Sequence, residues 1–92
     1  MISRTTDSFW KCYNNLPLKI KKQARKAYGL FIKDPYIPGL NFKRVHSARP
    51  IFSARINVNY RALGILDENK IIWFWIGSHS DYDRLVKHLR TS

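Results

Sequence analysis

The 92-residue chain predicts an α+β domain: two N-terminal helices, an antiparallel sheet of about four strands, and a C-terminal helix. Apolar residues keep helical spacing as far as residue 33, then switch to a period of two from Leu40 onward. The strand-like runs are separated by the turn-forming stretches SARP, NVN and DENK, and helical spacing returns near Ser80. No internal repeat, low-complexity run or linker interrupts the pattern, so residues 1–92 read as one domain.

Thr6, Asp7 or Ser8 can cap a first short helix whose apolar face is Phe9, Cys12, Tyr13 and Leu16. Asn14-Asn15 and Leu16-Pro17 break it, and Pro17 suits the first turn of a second helix. There Ile20, Ala24, Ala27, Tyr28, Phe31 and Ile32 share one stripe, and Asp34-Pro35 ends it. The opposite face carries Lys22, Arg25, Lys26 and Lys33, with Lys19 and Lys21 on its flanks: a phosphate rail or a solvated face. Strands are expected at 42–46, 51–56, 60–66 and 71–76. The last helix carries Tyr82, Leu85, Val86 and Leu89 on one stripe, with Ser80 and Asp83 spaced as a capping box.

Seventeen Lys and Arg against six Asp and Glu give a formal charge of +11. That exceeds the charge of about 2–8 that keeps a small domain soluble, and it favours a polyanionic partner. No apolar run approaches the ~20 residues that span a bilayer, and the first ten residues hold no apolar signal-peptide core. Cys12 is the only cysteine, which excludes an intramolecular disulfide and a cysteine-based metal site and fits a reducing cytoplasm.

The strand registers follow from burial. Phe52, Ala54 and Ile56 form a fully apolar, core-facing side, so Ile51, Ser53 and Arg55 face the other way. A two-residue loop at 57–58 would turn Arg61 into the core unpaired, at a cost of several kcal/mol. A three-residue loop, Asn57–Asn59, pairs 56 with 60 and 55 with 61 instead. A four-residue loop, Asp67–Lys70, then pairs 66 with 71, 64 with 73 and 61 with 76, and places Gly64 against Trp73. Arg55, Arg61 and His79 converge at one end of the sheet. Two arginines opposed on neighbouring strands repel, and an anion such as phosphate between them would explain the pairing. The alternatives are that each arginine pairs with an acid (Asp81 and Asp83 are near enough in sequence), that His79 bonds a backbone carbonyl, and that Tyr82 only packs. His46 and His88 read as surface residues. Leu63, Ile65, Ile72 and Phe74 form an apolar patch on this second face of the sheet, partly covered by a helix and otherwise open to a partner.

Three stretches carry a family likeness: LPLKIKKQARKAYGLFIKDPYIPGLNFKRV, SARINVNYRALG and WFWIGSHSDYDRL. Their order and spacing resemble the RelE/ParE toxin superfamily of bacterial type II toxin–antitoxin systems, in a branch related to RelE and HigB. The resemblance covers essentially the whole chain. It implies a cytoplasmic toxin held inactive by an acidic cognate antitoxin, with neither metal nor other cofactor. It also implies action on mRNA at the ribosome as an endoribonuclease, or, in the ParE-type alternative, inhibition of DNA gyrase without nuclease chemistry. A plain nucleic-acid-binding module is a third reading of the charge. By position, Arg61 matches the superfamily's phosphate-contacting arginine and Arg55 a second clamp. His79 and Tyr82 stand where its C-terminal base or acid falls. Lys43 and Arg44, with His46 beside them, match its basic second-strand positions, and Lys22, Arg25 and Lys26 extend the RNA-binding set. Glu68, in a turn, is the only glutamate, so an acid–base pair built on Glu is not expected.

Overall fold

The computed structural model describes residues 1–91. In chain order the elements are β1 (Ile2–Thr5), α1 (Asp7–Asn14), α2 (Leu18–Lys33), a 3-10 turn (Pro38–Leu40), β2 (Lys43–Arg44), β3 (Ile51–Asn57), β4 (Tyr60–Asp67), β5 (Lys70–Ser78) and α3 (His79–Thr91). The five strands form one sheet in the order β1-β5-β4-β3-β2, all pairs antiparallel except β1 with β5. The expected α+β class holds, with one strand more than expected. Among the described residues no helix is long and apolar enough to cross a membrane.

The two expected N-terminal helices form where their signals lie. Thr6 is the cap of α1: its Oγ1 accepts the Phe9 amide at 3.2 Å. Pro17 precedes the first residue of α2, and the Asp34 side chain accepts the Tyr36 amide where the helix stops. Ala24, Ala27 and Phe31 bury the α2 stripe, but Tyr28 and Ile32 on its edge stay exposed. Phe31 meets Phe42 and Trp73 edge-on, with ring centroids 5.2 and 5.3 Å apart. Together with Tyr13, Ala54, Ala62, Ile71 and Ile76, these residues make the core beneath α1 and α2.

A second, smaller core lies on the other face, where α3 sets Tyr82 and Val86 on Val45, Ile51 and Leu63. Covering by α3 changes the expected apolar patch. Leu63 is fully buried, Phe74 packs into the α3 core, and only Ile65 of the four is exposed, at 39%.

Strand bounds and registers differ from expectation in detail. The strand expected at 42–46 is only the two-residue β2, whereas β3, β4 and β5 each extend past the expected limits. Arg55 does oppose Arg61, but Asn57, not Ile56, opposes Tyr60. The turn has two residues, Val58-Asn59, and a bulge at Ile56 supplies the third residue of offset, which keeps Arg61 out of the helix-side core. A second bulge, at Phe74, leaves 64 against 73 and 66 against 71 but moves Gly77, rather than Ile76, opposite Arg61. Ile71, Trp73 and Ile76 therefore face the larger core, while Phe74 and Trp75 both face α3. β1 was not expected. Its residues ISRT hold one apolar side chain, and its parallel place beside β5 is secured by Trp73 Nε1–H donating to Ser3 Oγ at 3.2 Å.

Leu63 and Ile65 sit on one face of one strand, covered and uncovered. Leu63→Ala is expected to cost about 2–5 kcal/mol in urea unfolding followed by tryptophan fluorescence, and Ile65→Ala less than about 1 kcal/mol.

Candidate anion-binding cleft

The cleft forms where β4 passes beneath the first turns of α3. Its volume is about 400 Å³, and its walls are Lys43, Arg61, His79, Tyr82, Asp83, Val86, Lys87 and Arg90. Four cationic side chains thus face one carboxylate.

Arg61 is the unusual member, only 7% exposed. Its Nη1–H donates to Ser53 Oγ at 3.0 Å, and its guanidinium carbon lies 5.3 Å from the centroid of the Tyr82 ring. Ser53 is itself fully buried, two residues along β3 from the position opposite Arg61. Among the described residues no carboxylate pairs with Arg61; the ion pairs are His79–Asp83 and Arg84–Asp81. A cation–π contact contributes about 0.5–2 kcal/mol. The hydrogen bond to Ser53 has a charged donor and adds about 1.5–3 kcal/mol, so the two contacts leave little or no surplus over the several kcal/mol lost on burying a charge. No described polar side-chain atom is both fully buried and unpartnered, so the remaining guanidinium N–H groups keep access, and the space beside them is the cleft. A planar fork of donors there fits a carboxylate or phosphate oxygen pair.

His79 opens α3. Its backbone N–H reaches Asn59 O at 2.6 Å, which ties the helix start to the β3–β4 turn. The imidazole Nδ1 is 3.1 Å from Asp83 Oδ2, and the ring stands edge-on to Tyr82 with centroids 5.5 Å apart. The helix is capped by Ser78, whose Oγ accepts the Asp81 amide at 3.2 Å, and not by the expected Ser80–Asp83 box. Asp83 instead serves the histidine.

The structure therefore brings Arg61, His79, Tyr82 and Lys43 together and separates the other residues singled out above. Arg55 opposes Arg61 in register but is exposed and outside the cleft walls. Arg44, next to Lys43 on β2, opposes Phe52, on the far face, and its Nε–H donates to His46 O. His46 is a loop organiser: Nδ1 accepts the amides of Ala48 and Arg49, so the protonated Nε2 donates to Leu89 O at 3.1 Å. Lys22, Arg25 and Lys26 are exposed on α2, across the sheet from the cleft, and Arg25 Nε–H donates to Tyr13 Oη. Sequence reasoning missed Ser53, Lys87 and Arg90, and it offered Asp83 as a helix cap or an arginine partner rather than as the partner of His79. Lys87 and Arg90 were findable, because His79, Asp83, Lys87 and Arg90 recur at helical spacing on the flank of the apolar stripe.

A second concavity, of about 360 Å³, opens on the α1–α2 side. Its floor is Ala24, Ala27, Ala54, Ala62 and Trp73, and exposed Trp10 and Tyr28 stand at its edge with Arg4 and Arg25. It is mainly apolar, unlike the cationic cleft.

The model of the ParE-like toxin domain family matches residues 18–84. Solved structures share the fold. The toxin–antitoxin complex RelBE2 from Mycobacterium tuberculosis has a chain 21% identical, with TM-score 0.68 over 85% of this chain and 96% of that one. The RelB–RelE antitoxin–toxin complex from Methanococcus jannaschii has one 18% identical, with TM-score 0.71 over 88% and 96%. YafQ from E. coli is 12% identical, with TM-score 0.70 over 87% and 94%. No curated protein matches the chain.

An arginine buried for an anion rather than for the fold is dispensable to stability. Arg61→Met, which keeps the volume and removes the charge but leaves the Ser53 hydroxyl without its partner, is expected to lower stability by no more than about 2 kcal/mol in urea unfolding. A midpoint lower by more than about 2 kcal/mol of stability would show the guanidinium to be structural.

Proposed function

We propose, from the premise that this chain belongs to the ParE-like toxin family, that it is the toxin of a type II toxin–antitoxin pair and cuts mRNA at the ribosome. The observation that carries this reading is the buried Arg61 guanidinium, without a carboxylate partner among the described residues, beside a cleft whose rim holds a histidine.

Such a cleavage needs no group beyond the chain and the RNA. A base removes the ribose 2′-OH proton, the 2′-oxygen attacks phosphorus, and an acid protonates the departing 5′-oxygen. Negative charge grows on the phosphoryl oxygens, and Arg61 stands ready to receive it without reorganising, because Ser53 and Tyr82 already hold it in place. Lys43, Lys87 and Arg90 line the path for the flanking phosphates. Arg55, exposed across the strand pair, contacts a phosphate outside the cleft. His79 and Tyr82 share the proton transfers.

A partner is part of the reading, since two of the similar structures are toxin–antitoxin complexes. We place the antitoxin in the apolar concavity between α1, α2 and the sheet. The exposed Trp10 and Tyr28 and the basic edge of Arg4 and Arg25 suit an acidic amphipathic segment.

The ParE-type reading retains one observation in its favour, the name of the family that matches. It predicts a binding protein whose toxicity survives His79→Ala and appears as DNA damage with intact mRNA.

The deciding experiment is cleavage of mRNA on translating ribosomes by purified protein, with 5′-end mapping. Arg61→Ala is expected to lower the cleavage rate about 10²–10³-fold. His79→Ala should lower it about 10²–10⁴-fold. Intact mRNA with the parent protein rules the reading out. For the partner, Tyr28→Asp is expected to weaken the complex with the cognate antitoxin at least about tenfold by calorimetry while leaving cleavage unchanged. An unaltered affinity would move the docking site elsewhere.

A further inference from the structure

One carboxylate stands among the cations of the cleft, where it works against a polyanionic ligand. Electrostatic attraction alone would leave that position to a neutral or basic residue. The other acid of this segment is disposed differently: Asp81 pairs with Arg84 and lies outside the cleft walls. Asp83 has its Oδ2 3.1 Å from His79 Nδ1, one helical turn away. The pair is too exposed to account for itself by stability, with side chains 47% and 64% accessible. Pairs of that kind contribute at most about 1 kcal/mol.

The geometry points to Asp83 as the positioning residue of the proton-carrying histidine. Its carboxylate accepts a hydrogen bond from Nδ1–H of His79, sets the tautomer, and leaves Nε2 as the ring nitrogen offered to the RNA. The backbone of His79 is anchored to Asn59 O, and the Tyr82 ring stands against the imidazole, while Tyr82 also bears the Arg61 guanidinium. Asp83 thus completes a connected set in which the group that moves a proton and the group that receives charge are held by the same aromatic ring.

This inference rests on the nuclease reading. In the step concerned, the 2′-O–H bond breaks, the 2′-oxygen–phosphorus bond forms and the phosphorus–5′-oxygen bond breaks. The products are a 2′,3′-cyclic phosphate and a 5′-hydroxyl. His79 Nε2 exchanges one proton with one of those two oxygens, and Asp83 stays ionised throughout.

The test is a double-mutant cycle on ribosome-bound mRNA, with the cleavage rate at saturation and the half-saturating concentration measured separately. Asp83→Asn is expected to lower the saturated rate about tenfold without raising the half-saturating concentration, and to change the rate less than about twofold when His79 is already alanine. Thermal melts confirm folding, because the side chain is exposed. The inference is overturned if Asp83→Asn acts equally in both backgrounds. It is also overturned if the substitution only tightens binding by removing a repulsion. A parent that leaves mRNA intact overturns the nuclease reading and this one together. A parent that cuts, with an Asp83→Asn variant that cuts as fast, overturns the positioning role alone.

Discussion

The guanidinium of Arg61 is buried against a serine hydroxyl and a tyrosine face, with no carboxylate among the described residues to balance it. That imbalance organises the second face of the sheet. Among the described residues Ser53 holds no other side-chain partner, and it lies two positions from the residue opposite Arg61, where a diagonal reach across the strands is possible. Tyr82 completes the apolar core under α3 and also bears the cation, so packing and electrostatics meet in one ring. Buried arginines are seldom found without a partner able to offset their charge. The one carboxylate in the cleft is engaged by a histidine instead.

Much of this was legible from residues alone, for one physical reason: a charge cannot be buried at random. The choice of loop between β3 and β4 turned on keeping Arg61 out of the helix-side core, and Arg55 does oppose Arg61. The means were not legible. A bulge at Ile56 with a two-residue turn and a flat strand with a three-residue loop give the same offset, and no local residue distinguishes them. The bulge at Phe74 was hidden because IIWFWI is apolar at every position, so a one-residue slip changes no polarity. β1 was hidden for the opposite reason: its four residues carry too little apolar pattern, and its parallel partner lies some 70 positions downstream. The convergence of Arg61 and His79 survived the slip because α3 begins directly at the strand end and its first amide bonds Asn59. The inclusion of Arg55 did not survive, since register gives the face of a side chain but not its exposure.

The two faces of the sheet divide the work. The α1–α2 face is apolar and concave, floored by alanines where larger side chains would have filled the space. The α3 face is cationic and holds the groups able to handle protons. A partner seated on the first face leaves the second open. On the proposed reading, inhibition by such a partner acts by keeping the protein off the ribosome, not by filling the cleft.

The bulge at Phe74 makes that division possible. Without it, β5 would alternate strictly, and Trp73 and Trp75 would share a face. With it, Trp73 enters the larger core while Phe74 and Trp75 turn together toward α3. The Trp75 ring then lies against Gly77, where a Cβ would stand 2.6 Å from Trp75 Cζ2. Gly77 is also the residue opposite Arg61. A side chain there would displace the tryptophan that helps seat α3, and with α3 go Tyr82, His79 and Asp83. The absence of a side chain at that position is therefore a condition for the cleft as much as the presence of the arginine across from it.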